Sequence, residues 1–410
     1  MNEIRDPLVG ADQQFASTTS IFASNVWYIR FLWIAAAILP AVYLFIVVQY
    51  SAFTYPFADH LELVRFLQKL YDGTLTWGDL VSPHNQARPL VYRAIYLANA
   101  LATNWDIRSE YAIAYICVYA LFGVHIFLAR KLCGDRATLL PAIALISILL
   151  FSPVGHNNFW WSLMLMLNMA NLLIFLSIVA VSLAPNSWAS HIAAAILGWL
   201  ASYTLTNGIF LFVSVALTMQ LTKGPTRRID PFAAFWLLNL VVLISVYLPG
   251  IAAEAHGAPS VTDLVVFTMA YLGTPVAGLA WYPYRSLFDV PTTIWWPSLC
   301  GAGILFLMCR CLWRVRKSLP DRSAAVLVLL LCSLFGMLSA LVTAWGRAAF
   351  DESGVASANS SRYSIFGVYV TFGLIYFLAA TGFANRVRRK LNGSAQFAIV
   401  TIGLLMVAAS

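Results

Sequence analysis

Apolar runs recur along almost the whole chain, at 31–53, 111–129, 137–152, 160–184, 191–206, 208–222, 231–249, 294–312, 323–344, 363–382 and 395–410. Most approach the roughly 20 residues that an α-helix needs to cross the ~30 Å hydrocarbon layer of a bilayer. Backbone N–H and C=O groups find no water there, so each run must satisfy its own hydrogen bonds as a helix. The expected fold is therefore all-α, a polytopic transmembrane bundle of about 11 spans. Of the 410 residues, 61% are hydrophobic and only 10% charged, against about 25% charged in soluble domains. That balance excludes a soluble globular domain, a disordered chain and a nucleic-acid-binding domain. It also argues against an outer-membrane barrel, whose alternating strands give no such runs. The net charge of +8 then speaks to orientation and not to a nucleic-acid partner.

Basic residues set the expected direction of the spans. Arg130-Lys131 with Arg136, Lys223 with Arg227-Arg228, Arg310 to Arg322, and Arg386 to Lys390 fall on one side of the alternating runs. With Arg5 and Arg30 they hold 17 of the 25 Lys and Arg, which makes that side cytoplasmic by the positive-inside rule. Residues 1–29 read as a polar cytoplasmic arm and 30–410 as a single transmembrane domain. One segment resists. Residues 262–281 are apolar enough to span, yet one crossing there would put the Arg310–Arg322 cluster outside. Gly273-Thr274-Pro275 interrupts the run, because Pro lacks an N–H and clashes with the preceding turn. The expectation within the outer segment 250–293 is a re-entrant or interfacial hairpin, or two short surface helices.

Chemistry should lie in the long polar loops, 54–110 and 345–362, because loops of this length are uncommon unless functional. In the first, Leu63, Phe66, Leu67 and Leu70 share one helical face, while Glu62, Arg65 and Lys69 share another. This predicts an amphipathic interfacial helix ended by Gly73, then a short element near Thr76 and a third helix through about 101. Asp59 opens that loop. It reads either as a general base at the membrane boundary or, with Glu62 three residues on, as the cap of the interfacial helix. His84-Asn85-Gln86-Ala87-Arg88 reads as a phosphate or sugar contact, or as a solvated loop with Arg88 paired to Asp79 or Asp72.

The late loop carries Arg347 and Arg362 beside Ser360, Ser361 and Tyr363. Small hydroxyls with a guanidinium suit a lipid-phosphate clamp; the alternative is pairing with Asp351 and Glu352, or snorkelling. At 155–161, His156, Asn157 and Trp160 suit a sugar cavity, or else an aromatic belt. No Walker A, dinucleotide-binding, zincin or nucleophile-elbow motif occurs. The six cysteines show no zinc spacing.

Together these pieces resemble the GT-C superfamily of polytopic glycosyltransferases. The residues that carry the resemblance are Asp59, Gly73-Thr74-Leu75, Pro83 to Pro89, Gly346-Arg347 and Ser360 to Tyr363. They are similar to those of a family of largely uncharacterised bacterial membrane proteins with this layout. The resemblance implies a polyprenyl-phosphate sugar donor and a periplasmic glycan, lipid or protein acceptor. The setting would be the bacterial inner membrane, with the N-terminus cytoplasmic and the active site facing the periplasm. Asp59 would be the base; Arg347, Arg362 and Arg88 would hold the donor phosphate. His60, His84, Asn85, His156, Asn157, Trp160, Ser361 and Tyr363 would contact substrate. No cofactor is implied, with a divalent cation left open. A non-catalytic flippase or transporter of lipid-linked glycans, or a glycan polymerase or ligase, would use the same polar cavity.

Overall fold

In the computed structural model the described residues are 9–51, 55–56, 58–134, 136–155, 157–223, 228–251, 258–280, 294–348 and 354–381. Among them no strand occurs, and the protein is an all-α membrane protein. The long first helix is α1 (Val9–Ser51); the first loop folds into α2 (Glu62–Tyr71), α3 (Trp77–Val81) and α4 (Leu90–Thr103). The bundle continues as α5 (Ile107–Leu132), α6 (Arg136–Leu150), the short α7 (Asn157–Trp160), α8 (Leu165–Leu183), α9 (Trp188–Ser202), α10 (Ile209–Leu221) and α11 (Pro231–Tyr247). It closes with α12 (Val261–Ala280), α13 (Trp295–Val315), α14 (Ala324–Arg347) and α15 (Ser361–Ala380). Among the described residues six stretches are long and apolar enough to cross a membrane: Trp27–Tyr50, Ile107–Leu132, Ser162–Leu183, Val261–Leu279, Trp295–Val315 and Ala324–Arg347. Five shorter apolar helices accompany them. The run at 395–410 lies outside the described residues.

Helix α1 begins at Val9, inside the stretch read as a polar arm. One expectation is corrected. Residues 262–281 form neither a hairpin nor two short helices but one continuous helix, α12. Pro275 should leave the Tyr271 carbonyl, four residues back, without its helical donor. That carbonyl faces Gly367 of α15, and only the missing Cβ permits the approach. A second close approach fixes α12 against α13. Gly273 lies on the Pro297 carbonyl and Gly301 on the Met269 carbonyl, and a Cβ at either would overlap the oxygen. Small residues that let backbones touch are a common packing device between membrane helices.

The first loop follows its apolar pattern. Leu63 and Phe66 are buried, and Glu62, Arg65 and Lys69 are exposed. Gly73 and Thr74 close α2 by donating to the Leu70 and Lys69 carbonyls at 3.2 and 2.9 Å. Thr76 and Asp79 form a reciprocal capping box that starts α3. In the core, His125 is fully enclosed, with Nδ1 2.7 Å from the Tyr376 hydroxyl and its ring stacked on Phe175.

The two ends of the bundle differ. At one end the first loop meets the starts of α8, α10 and α15 and the finish of α14. At the other, Arg322 donates to Asn186, to the Met219 carbonyl and to Asp230 at 3.1, 3.1 and 2.5 Å. Arg322 thus lies on the side of Asp230, although α12 is continuous.

Candidate functional site

A cavity of about 250 Å³ opens at the end where the first loop sits. Its polar wall comes from several separate parts of the chain, Thr206 and Asn207 among them. Asp59 projects from the 3-10 turn Ala58–Leu61. His84, Asn85 and Gln86 come from the turn before α4. Arg347 comes from the last turn of α14 and Arg362 from the first turn of α15. The apolar wall includes Trp161, Leu163, Met164, Phe210, Val342 and Phe366.

Asp59 is exposed and, among the described residues, makes no hydrogen bond. It does not cap α2, whose N-cap is Leu61 with no side-chain bond. The turn that carries it is held from behind. The next residue, His60, is completely buried, with Nε2 3.1 Å from Glu110 Oε2. Tyr96 and Trp105 meet the imidazole edge-on, and Trp105 Nε1 donates to Glu110 Oε1 at 3.1 Å. Successive residues thus point opposite ways, His60 into the protein and Asp59 into the cavity.

The His84 turn is equally fixed. The His84 and Ala87 backbones exchange hydrogen bonds of 2.8 and 3.0 Å, with Asn85 between them at φ 50°. A left-handed conformation at Asn is the least costly among residues other than Gly. Thr206 Oγ1 donates to the Gln86 carbonyl at 2.6 Å.

Arg347 shares a helical face with Thr343, and Arg362 shares one with Phe366; each pair is four residues apart and lines the cavity. The N-cap of α15, Ser360, makes no side-chain cap bond. The positive end of a helix dipole therefore lies beside two guanidiniums. One carboxylate and two guanidiniums line the same cavity, an arrangement suited to a substrate with an anionic group and a proton to lose.

Several expected site residues lie elsewhere. Arg88 is buried, and its guanidinium donates to the carbonyls of Tyr247 at 2.7 Å, Val81 at 2.5 Å and Pro249. Among the described residues it pairs with neither Asp79 nor Asp72; three of its five N–H donors go to backbone carbonyls. His60 does not reach the cavity, since Glu110 holds it inside. Trp160 is not on the cavity wall; its neighbour Trp161 is. The Trp160 carbonyl accepts from the Tyr111 hydroxyl at 2.5 Å. His156 lies outside the described residues, as do the side chains of Asn157, Ser361 and Tyr363.

Residues not singled out from the sequence also line the cavity, among them Thr343 and Tyr271. Thr343 had a readable signal, a lone hydroxyl one turn before Arg347; Tyr271 had none. Asp79 pairs with Lys69 at 2.5 Å. This ammonium first, and then the Thr76 hydroxyl and N–H, hold its carboxyl well below the usual carboxylate range. No family model, no curated protein and no solved structure matches this chain.

Proposed function

We propose that this chain is a membrane glycosyltransferase of the GT-C type, with a layout of about eleven spans. It would move a sugar from a polyprenyl-phosphate donor to a glycan, lipid or protein acceptor of the cell envelope. One observation carries the reading: Asp59, Arg347 and Arg362, from distant parts of the sequence, line the same cavity. The acceptor hydroxyl oxygen attacks the anomeric carbon and its proton passes to Asp59. The bond from that carbon to the phosphate oxygen breaks, and the electron pair leaves with polyprenyl phosphate. Arg347 and Arg362 stabilise the charge that grows on the leaving phosphate. Phosphate departs as an anion, so no second acid is required.

The apolar wall suits an isoprenoid chain. Val342 lines the cavity and is exposed, which places an apolar side chain where a lipid could enter. Arg322 and Lys223 lie at the far end, which supports a cytoplasmic far end and a cavity facing the periplasm across the inner membrane.

The test uses the protein in lipid nanodiscs with labelled hexoses on farnesyl or undecaprenyl phosphate. Asp59→Asn should lower transfer by about 10²–10⁴-fold. Arg347→Ala and Arg362→Ala should raise the KM for the donor. An Asp59→Asn protein that transfers at the wild-type rate refutes the mechanism. Transbilayer movement of the donor that survives Asp59→Asn, with no transfer by the wild type, would mark a carrier instead.

A further inference from the structure

Beside Asp59 and the arginines the described residues of the cavity wall include one imidazole, that of His84. Its Nδ1 lies 2.8 Å from Glu62 Oε2. Glu62 sits in the first turn of α2 and is also held by Arg65 at 3.3 Å. An ionised carboxylate can only accept, so Nδ1 carries a proton, and in the neutral imidazole Nε2 keeps its lone pair. Among the described residues the hydrogen-bonding neighbour of Nε2 is the Asn85 amide nitrogen, a donor, at 3.4 Å. That distance is long for a hydrogen bond and leaves Nε2 available. The turn beneath is locked by the His84–Ala87 backbone bonds and by Thr206.

We infer that Glu62 and His84 act as a pair. Glu62 is a positioning residue that fixes the imidazole tautomer, and His84 offers Nε2 to the cavity as the acceptor for a hydroxyl of a bound sugar. The ligand class is a neutral polyol, because a lone pair aimed at the ligand favours O–H donors and disfavours carboxylates. The identity of the hydroxyl rests on the glycosyl-transfer reading; the geometry of the pair does not.

Three substitutions separate contact from scaffolding. Gln at position 84 places an oxygen near Nε2 but loses Glu62. Asn keeps a donor for Glu62 and has nothing at the Nε2 position. In nanodiscs with a farnesyl-phosphate hexose, His84→Asn should lose about tenfold in kcat/KM, the worth of one hydrogen bond, and His84→Gln should lose at most about threefold. Glu62→Ala should fall with His84→Asn, and the double variant no further.

A second readout is carbethoxylation of His84 by diethyl pyrocarbonate, followed by mass spectrometry. The same donor should protect His84 from the reagent. Protection without transfer would keep the hydroxyl contact and remove the enzymatic reading. An active His84→Asn with a damaged His84→Gln would reduce the residue to scaffolding. Transfer with His84 unprotected overturns the inference and leaves the enzyme intact. Absence of both transfer and protection overturns both.

Discussion

Arg88→Ala separates two roles for a guanidinium that the sequence alone leaves open. In the folded protein its side chain donates to three carbonyls, those of Tyr247, Val81 and Pro249. Each bond to a charged donor contributes about 1.5–3 kcal/mol, but the three are not additive, and truncation also releases a buried charge. A net loss of about 3–5 kcal/mol follows, because truncation leaves three carbonyls without their donors, each worth about 1–3 kcal/mol and not additive. At roughly 2 °C per kcal/mol for a large chain, the melting midpoint should fall by about 6–10 °C. Arg88→Lys keeps the charge but cannot reach three diverging acceptors, so its midpoint should lie between the two. Tryptophan fluorescence during heating at a fixed scan rate reads the shift. Transfer by the folded fraction should keep the wild-type KM for the donor. An Arg88→Ala protein that melts like wild type but binds donor poorly would return this guanidinium to the phosphate site and refute the argument.

The Asp79–Lys69 pair predicts an acid-side stability slope. A carboxyl held below its ordinary range stabilises the fold above its unfolded pKa, near about 4, and that contribution is lost as pH falls through the lower folded value. Asp79→Asn should therefore melt lower than wild type at pH 7, with a flatter dependence below about pH 4, read by the same thermal assay. On the cavity wall, Trp161→Ala should raise the donor KM, whereas Trp160→Ala should leave it unchanged, because only the former lines the cavity.

Much of the bundle was legible because a membrane helix must be locally apolar and internally hydrogen-bonded. The stretches read at 111–129, 231–249 and 294–312 correspond to α5, α11 and α13 within a few residues. The faces of α2 followed directly from the spacing of Leu63, Phe66 and Leu70. The error at 262–281 has a long-range cause. A proline breaks a helix when its freed carbonyl has nothing to face, and here Gly367, far along the chain, covers the Tyr271 carbonyl. Nothing between 262 and 281 announces that partner. The start of α1 at Val9 was missed for another reason: polar residues such as Gln13 and Gln14 do not favour a span, but they do not oppose a helix.

The candidate site was legible as a set of residues but not in their assignments, and the arginines show why. Arg88 and Arg93 belong to the same loop as Asp59, yet both serve helix ends. The last carbonyls of a helix lack intrahelical donors. Arg93 takes those at the close of α3, Leu80 at 2.9 Å and Ser82 at 2.6 Å, while packing over the Phe66 ring. Arg88 takes Val81 of the same helix end and Tyr247 at the end of α11. Burial lowers the Arg93 pKa to about 10, which still leaves it charged at neutral pH and able to hold those carbonyls. Arg347 and Arg362 also sit at helix ends. Each, however, shares a face with another cavity residue, Thr343 or Phe366, so the rotation of α14 and α15 aims them at the cavity. A guanidinium next to a short helix that needs closing is consumed by carbonyls. One placed a turn away from a cavity-lining side chain is aimed at the cavity. The distinction depends on the helix phase around each arginine and not on the local density of polar residues, which had made Arg88 look equivalent to the other two.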